Sequence, residues 1–419
     1  MDFLAVLNEI DNFIWGPPLL VLLVGTGILL TIRLHLLQIF KLPKALSLIF
    51  RAQNAGSGDI DSFKALCTAL SATVGTGNIV GVATAIHAGG PGALFWMWMA
   101  AFFGMATKYA EGLLAVKYRE TDEKGEIAGG PMYYIKNGMG EKYKWLGGLF
   151  AFFGVLVAYF GIGTFAQVNS IVDITKMTIG LDPVWTGAIL TIFVAAITIG
   201  GLQSIAAAAS RIVPAMAFIY FLSTIGVLLV FADKVPAAIS MIFESSAPIV
   251  AAAAKTKWPA EQGLISMTGT FIDTIIICTL TGLTLVVTGV WCGMENGAAL
   301  TNAAFTSAFP VFGGYMLLIG LVLFAFTTIL GWNYYGERCM IYLVGTKGVL
   351  PYRLVFILLI ASGAFLKLEA IWILADIVNG LMAIPNLIAL LFLSGICVRE
   401  TKKYMDHLKT GKPYEEYED

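Results

Sequence analysis

A run of small and polar residues interrupts the apolar stretch Phe63 to Ala88 near its middle. The run reads Ser71-Ala72-Thr73-Val74-Gly75-Thr76-Gly77-Asn78. Glycine weakens a helix, and unwound backbone inside a bilayer is tolerated only where it is buried in protein or lines a cavity. Freed carbonyl oxygens suit sodium, and the start of the second half-helix suits a carboxylate. The pattern therefore predicts a binding site at a helix break. The alternative is a packing face, because Gly77 to Gly81 is also a GxxxG motif.

Four later apolar stretches also carry polar residues. These residues are Gln167 and Asn169, next to Phe165; Thr270, Asp273 and Thr274; Thr327 and Thr328; and Asp376 with Asn379. A carboxylate inside a membrane is costly and is a functional candidate by default, the alternative being a structural hydrogen bond or a helix cap. Lys108 and Glu111 are three residues apart and are expected to pair structurally.

The composition excludes most soluble classes of protein. Of the 419 residues, 58% are hydrophobic and 13% are charged, with a mean hydropathy of +0.82, whereas a soluble domain has about 25% charged residues. The net charge of −1 provides no basic field for nucleic acid. The sequence has no HExxH, P-loop or GxSxG motif and no CxxC among its five cysteines, so neither an enzyme nor a zinc site is indicated. The composition predicts a polytopic membrane protein.

Apolar runs of roughly the length that crosses a bilayer, about 20 residues, recur along the chain. Ten are clear: Ile14–Ile32, Phe63–Ala88, Gly92–Val116, Trp145–Val172, Val184–Leu202, Ile212–Phe231, Leu264–Trp291, Val311–Tyr334, Leu354–Leu366 and Ala370–Val398. An eleventh, Val235–Ala254, is short and contains Glu244 and Pro248. We predict an all-α fold in a lipid bilayer.

Lysine and arginine are distributed unevenly between the loops. All but four of the 26 fall in loops that alternate crossings place on one side; the exceptions are Lys176, Lys234, Lys367 and, within a span, Lys108. Cytoplasmic loops carry the excess of these residues, so we expect the N-terminus outside and the C-terminus inside the cell. This topology needs an odd number of crossings, so Val235–Ala254 must also cross. The alternative is that the last four spans are inverted against their charges.

The predicted spans divide into one extra helix and two sets of five. Residues 1–62 hold the extra N-terminal helix and a cytoplasmic loop, 63–231 the first set, 235–398 the second set, and 399–419 a cytoplasmic tail. Because five is odd, the second set has the opposite orientation, which is the inverted-repeat plan of many secondary transporters. The symmetry is one of topology, without a clear sequence repeat.

Several long stretches resemble the sodium:alanine (alanine/glycine:cation) symporter family. The most specific is the aromatic-rich segment Gly89 to Gly104; the others are Thr73–Asn78, Ala128–Tyr133, Ser266–Thr274 and Ala383–Asn386. The resemblance runs nearly end to end. It implies a LeuT-type fold of five plus five helices with one extra N-terminal helix, in the cell membrane. It also implies sodium-driven uptake of a small neutral amino acid, alanine or glycine.

The resemblance implies roles for the residues around the break. The amino acid would contact Thr73, Gly75, Thr76, Gly77, Asn78, Phe165, Gln167 and Asn169. One sodium ion would bind Thr73 and Asn78, and a second the carbonyls of Ser71 and Val74 and the hydroxyls of Thr327 and Thr328. A pocket rich in glycine and bounded by aromatic residues would accept a methyl side chain and exclude larger ones.

The chain departs from the family at one point. Relatives carry a further segment, the second broken helix of the fold, before the stretch Ser246-Ala247-Pro248-Ile249, whereas here Ser245 joins Ser246 directly. The short stretch Val235–Ala254, which must cross the membrane to give the odd number of crossings, lies at the same place. Because alternating access uses both broken helices, two alternatives to symport are open. They are a transport-impaired deletion variant that keeps the fold, and an uncoupled cation leak.

Overall fold

The computed structural model describes residues 3–49, 62–123, 125–243, 259–366 and 369–410. These residues are almost entirely helical, as predicted. Within them, one short antiparallel hairpin joins strand β1 (Glu120–Thr121) to strand β2 (Ile127–Ala128). The predicted junction at Ser245–Ser246 and the residue Glu244 lie outside the described residues.

The described residues from Phe3 to Val230 form twelve helices. They are α1 (Phe3–Ile14), α2 (Pro17–Arg33), α3 (Leu37–Phe40), α4 (Leu42–Ile49), α5 (Ser62–Thr73), α6 (Val80–Gly89), α7 (Ala93–Lys117), α8 (Pro131–Tyr134), α9 (Lys144–Phe160), α10 (Phe165–Ile179), α11 (Pro183–Ile199) and α12 (Gly201–Val230). Short 3₁₀ turns cover Thr76–Asn78, Glu141–Tyr143 and Ala232–Lys234, and a π-helical turn covers Ile135–Met139.

The later helices include the longest in the chain. They are α13 (Val235–Phe243), α14 (Pro259–Thr270), α15 (Thr279–Thr288), α16 (Gly297–Ala308), α17 (Gly313–Val344), α18 (Val349–Gly363) and α19 (Glu369–Thr410). A π-helix, Phe271–Cys278, joins α14 to α15 without a break. Further 3₁₀ turns cover Val290–Cys292 and Thr346–Gly348.

Proline, glycine and capping residues set several helix boundaries. Pro17 and Pro183 lie in the first turns of α2 and α11, where the missing N–H has no intrahelical partner in any case. The Asp182 carboxylate accepts the Val184 N–H at 2.8 Å, which is the usual N-cap contact. Gly180 ends α10 with φ of +67°, a left-handed conformation that glycine adopts without strain.

Helices cover all ten of the clear predicted stretches, and most of them have the length and hydropathy of a membrane span. Among the described residues, seven helical segments are long and apolar enough to cross a membrane, or eight if the bent pair α5 and α6 is one span. The short α11 and the 25-residue α7, which contains Lys108 and Glu111, match the other two predictions. Of the eleventh prediction, Val235–Ala254, only the nine-residue α13 is described; the remainder lies in the undescribed stretch 244–258.

Helix α17 forms the centre of the bundle, and α5, α9, α10 and α12 pack around it. Its contact with α5 depends on Gly331, where a Cβ atom would lie 2.6 Å from the Ala72 nitrogen. Next to it, the Trp332 indole N–H donates to the Ala72 carbonyl at 3.0 Å. These contacts place the middle of α17 directly against the end of α5.

Ion pairs gather loops and helix ends at one end of the bundle. Arg338 of α17 pairs with Asp122 at 3.4 Å and Glu126 at 2.5 Å, both in the hairpin that follows α7. Three further ion pairs lie there: Lys117–Glu400, Lys136–Glu120 and Arg353–Glu337. The ends of α7, α17 and α19 and the start of α18 therefore lie on the same side.

Candidate functional site at the broken helix

The predicted break in the second apolar stretch is present. Helix α5 ends at Thr73 and α6 begins at Val80, with the 3₁₀ turn Thr76–Asn78 between them. The two helical segments are bent by 64° relative to each other. A bend this sharp removes consecutive helical hydrogen bonds, so the polar groups of the backbone must find other partners.

Thr328 of α17 closes one side of the break. Its hydroxyl lies 3.2 Å from the Val74 carbonyl and 2.9 Å from the Phe324 carbonyl of its own helix. A Cβ atom on Gly75 would lie 2.3 Å from the same hydroxyl oxygen. Glycine at this position therefore permits the close approach of α17 to the unwound backbone.

Asn78 joins the break to the π-helix. Its Oδ1 accepts the Gly75 N–H at 2.9 Å, and its Nδ2 donates to Asp273 Oδ1 at 2.8 Å. The same amide lies 3.1 Å from the Asp273 carbonyl and 3.3 Å from Cys278 Sγ. Thr274 completes the group, because its hydroxyl donates to Asp273 Oδ2 at 2.9 Å. Asn78 thus fixes the turn and holds the half-buried Asp273 carboxylate next to it.

Gln167 of α10 contacts the break from another side. Its Oε1 accepts the Thr76 N–H at 3.2 Å, and its Nε2 donates to the Ile162 carbonyl at 2.8 Å. The second bond fixes the orientation of the amide. The other two residues predicted on this stretch face elsewhere: Asn169 donates to the Gly363 carbonyl of α18 at 2.8 Å, and Phe165 packs beside Gly363.

The break has one open face. Between residues 71 and 78, Thr73 and Gly77 are exposed, while Ser71, Val74, Gly75, Thr76 and Asn78 are buried. A Cβ atom on Gly77 would meet no atom within 4 Å. Thr73 and Gly77 are the two exposed positions of this stretch, so a small ligand can reach the unwound backbone there.

Other predicted site residues make contacts away from the break. Thr327 lies next to Thr328, but its hydroxyl is 3.3 Å from Met216 Sδ of α12, and the Ser71 hydroxyl donates to the Thr68 carbonyl. Thr270 is buried. The Asp376 carbonyl accepts the Trp15 indole N–H at 3.1 Å, and the described hydrogen bonds include none from Asp376 or Asn379 to residues 71–78.

Cys278 and Trp332 contact the broken helix, at Asn78 and Ala72 respectively, and neither residue was predicted from the sequence to do so. Asp273 and Cys278 are five residues apart, which in an α-helix points their side chains in different directions. A π-helix has i to i+5 hydrogen bonds, so this spacing brings both side chains towards Asn78. Thr281, which the α-helical period places on the face of Asp273, contacts the Tyr220 hydroxyl instead.

The chemistry of the site is that of oxygen ligands. Carbonyl, hydroxyl, amide and carboxylate oxygens surround the turn, and such ligands suit alkali and other hard cations. Over the described ranges there is no group of three or more His, Cys, Asp or Glu side chains arranged to hold a metal ion. The site thus offers a few oxygen ligands of low total charge.

A substitution at Gln167 tests the role of this contact. In Gln167→Ala the buried Thr76 N–H loses its acceptor, and one such hydrogen bond is worth about 1 kcal/mol, or somewhat less than tenfold in an equilibrium constant. We expect ligand affinity at the break to fall by about that factor. Ligand-induced thermal stabilisation of the purified protein measures it. Gln203→Ala, at an exposed position of α12, is the matched control and should leave affinity unchanged.

A family model described as the sodium:alanine symporter family matches the chain over residues 1–246 and 244–418. An uncharacterized transporter of Haemophilus influenzae is 52% identical over 447 aligned positions, covering 98% of both chains. The sodium/alanine symporter AgcS of Methanococcus maripaludis is 49% identical, covering 96% of this chain and 98% of AgcS. The probable sodium/glutamine symporter GlnT of Bacillus subtilis is 32% identical, covering 98% and 92%.

The comparisons also bear on the predicted junction at Ser245–Ser246. The family match consists of two parts that meet at residues 244–246. The alignment with the Haemophilus protein has 447 positions, 28 more than the 419 residues of this chain, so at least 28 of its positions have no counterpart here. The Haemophilus protein therefore has residues without a counterpart in this chain, and the split of the family match falls at the predicted junction.

Proposed function

Because the chain belongs to the sodium:alanine symporter family, we propose that it couples the entry of sodium to the entry of alanine or glycine across the cell membrane. It is a multi-pass membrane transporter and not an enzyme. Sodium is the coupling ion that the family implies.

The observation that carries the proposal is the broken helix with its open face. Unwound backbone inside a transporter supplies carbonyl oxygens for a cation and a half-helix N-terminus for a carboxylate. Here Thr328 of α17 and Gln167 of α10 contact that backbone from two distant parts of the chain, and Asn78 holds it from within the turn. These contacts support a cation and an amino acid bound side by side at residues 73–78.

We assign the two sodium positions on the same grounds. One uses the Thr73 carbonyl and the Asn78 side chain, and Asp273 is positioned to balance its charge because it contacts the Asn78 amide. The other uses the Ser71 and Val74 carbonyls with the hydroxyls of Thr327 and Thr328. The 3.2 Å contact between Thr328 and the Val74 carbonyl supports this second position; Thr327 would have to turn from Met216.

The preference for alanine or glycine rests on the small residues at the break. The side chains at the break are small, namely those of Gly75, Thr76 and Gly77. Gln167 contacts the same stretch through the Thr76 N–H. Phe165 and Asn169 hold α10 against α18 in this structure. We propose that they contact the substrate when a movement of these helices during transport turns them towards the break. Since the family also contains a relative named as a probable sodium/glutamine symporter, the size of the substrate side chain has to be measured for this chain.

The proposed architecture is the LeuT-type arrangement of two five-helix repeats, residues 63–231 and 235–398, after an N-terminal extra helix in 1–62 and before a tail in 399–419. The ion pairs that gather the ends of α7, α17 and α19 support one shared side for those loops. Positively charged loops are cytoplasmic, so we place this side and the C-terminus inside the cell and the N-terminus outside.

Uptake into proteoliposomes tests the function. We expect radiolabelled alanine to accumulate when sodium is imposed outside, and to stop accumulating when potassium replaces sodium. A folded, monodisperse protein that gives no uptake would contradict symport and would indicate that the absent segment is required. Glycine, D-alanine and glutamine as competitors then order the substrates.

A further inference from the structure

The loop between α7 and α8 is a short hairpin rich in carboxylates. It contains Glu120, Asp122, Glu123 and Glu126, around the two strands β1 and β2. Each strand has only two residues, and an isolated two-stranded hairpin is marginally stable at best. Its shape therefore depends on the groups to which it is attached. Residues 120–128 are called the acidic hairpin below.

The acidic hairpin is attached to Arg338 of α17. Arg338 is 4% exposed; its Nη1 is 3.4 Å from Asp122 Oδ2, and its Nη2 is 2.5 Å from Glu126 Oε2. Asp122 also closes the hairpin itself, because its Oδ1 accepts the Glu126 N–H at 3.0 Å. A buried guanidinium that loses its carboxylates is left as an uncompensated charge. The hairpin and this part of α17 therefore hold each other in place.

Further contacts flank the Arg338 ion pairs on both sides. The Thr346 hydroxyl, in the 3₁₀ turn between α17 and α18, donates to Glu123 Oε2 at 3.0 Å. On the other side, Glu120 Oε1 accepts hydrogen bonds from Lys136 Nζ at 2.7 Å and from Asn137 Nδ2 at 2.9 Å. All four carboxylates of the acidic hairpin thus bind residues outside it, and three of the four bind α17 or the turn that follows it.

Helix α17 connects these contacts to the break. Arg338 follows Thr328 by ten residues in one continuous helix, which is about 15 Å along the helix axis. Thr328 and Trp332 contact the carbonyls of Val74 and Ala72. A tilt of α17 that separates Arg338 from the acidic hairpin would therefore also change the contacts that close one side of the break.

We propose that the acidic hairpin is a releasable latch on α17. While it binds Arg338, α17 stays against the broken helix and the site is closed on the cytoplasmic side, where these ion pairs lie. When it releases Arg338, α17 tilts away from α5 and the bound ligand leaves on that side. The latch therefore opens once in each transport cycle. The inference rests on the proposed function, because it takes residues 73–78 to be the transport site and this side to be inside the cell.

Locking the latch tests whether it has to open. The background is Cys292→Ser, which removes the exposed native thiol. In the purified protein, Glu123→Cys and Thr346→Cys are joined by a bifunctional maleimide with a disulfide in its spacer. After reconstitution the joined protein should lose alanine uptake, keep its melting temperature, and regain uptake when the spacer is reduced. The same variant without the maleimide is the control and should transport alanine. Uptake that continues in the joined protein would overturn the latch.

A weakened latch gives an answer that does not depend on transport. Cys339 follows Arg338, is 4% exposed and lies against Gly154 of α9, so its thiol reports movement of this part of α17. In Glu126→Gln one of the two carboxylates on Arg338 loses its charge. N-ethylmaleimide should then modify Cys339 several-fold faster than in the wild-type protein. Mass spectrometry of the peptides measures the rate, with the buried Cys397 of α19 as internal reference.

Glu141→Gln is the matched control for this labelling. Glu141 lies in the next loop on the same side and pairs with Lys144 at 3.4 Å, and both side chains are exposed. Its substitution should leave the labelling of Cys339 unchanged. Equal labelling in Glu126→Gln and Glu141→Gln would overturn the latch. If the wild-type protein takes up no alanine while Glu126→Gln alone speeds the labelling, the proposed symport fails and the attachment of α17 by the acidic hairpin is supported.

Discussion

Gly75→Ala should abolish sodium-dependent uptake while most of the protein still folds. The added methyl group would lie 2.3 Å from the Thr328 hydroxyl oxygen, so Thr328 must turn away or α17 must move. Overpacking of this kind costs roughly 1–3 kcal/mol. The contact between Thr328 and the Val74 carbonyl would be lost at the same time. Initial uptake rates in proteoliposomes, with melting temperatures of the purified variants, measure both effects.

The adjacent glycine provides the control for this prediction. Gly77 is in the same turn, but a Cβ atom there would meet no atom within 4 Å, so Gly77→Ala should keep its melting temperature. Thr328→Ala combined with Gly75→Ala should recover part of the lost stability, since the clashing hydroxyl is gone, without recovering uptake. Equal behaviour of Gly75→Ala and Gly77→Ala would show that close packing of α17 is not what the break requires.

Asn78→Ala should abolish the stabilisation of the protein by sodium, which is the second largest effect that we expect. The substitution leaves the buried Gly75 N–H without its acceptor and Asp273 without the amide donor, and each such unsatisfied group costs roughly 1–3 kcal/mol. The turn and the cation position are both lost, so sodium should no longer stabilise the protein against heat. The melting temperature with and without sodium is the measurement.

A polar residue on the neighbouring helix α6 provides the control, because its substitution removes a polar group without touching the break. Thr84 is exposed on α6 and its hydroxyl bonds only to the Val80 carbonyl of the same helix among the described contacts. Thr84→Ala should therefore keep the sodium-dependent shift in melting temperature. If Asn78→Ala also keeps it, the cation binds elsewhere and the assignment of the break as its site is wrong.

The break itself could be predicted from sequence because its cause is local. Glycines and small polar residues at Ser71–Asn78 weaken an α-helix wherever it packs, and the 64° bend confirms the interruption. Most of the ten clear spans were likewise predictable from hydrophobic length: among the described residues seven helical segments, or eight with the bent pair, are long and apolar enough to cross a membrane. Their ends were not: Trp145–Val172 proves to be two helices, α9 and α10, separated by residues 161–164.

Orientation of neighbouring side chains could not be predicted in the same way. Thr327 and Thr328 are identical in type and adjacent, and only the packing of α17 between α5 and α12 shows that Thr328 faces the break and Thr327 faces Met216. The π-helix Phe271–Cys278 shifts every helix face that follows it, so an α-helical period assigns Thr281 to the wrong neighbour. Both outcomes depend on contacts between residues distant in sequence.

The role of Lys108 and Glu111 shows the same limit. Their spacing predicts a pair within one helix, and the 3.5 Å distance confirms it. The sequence gives no sign that Asn386, 275 residues away in the numbering, would donate to Glu111. This contact between α7 and α19 is visible only after the helices are assembled.

Simultaneous measurement of sodium and alanine entry into the same proteoliposomes tests the central claim most directly. Coupled transport predicts that radioactive sodium enters faster when alanine is present outside, and that alanine enters only with sodium. Both fluxes should disappear in Asn78→Ala and persist in Thr84→Ala. Sodium entry that is the same with and without alanine would contradict symport and identify an uncoupled leak.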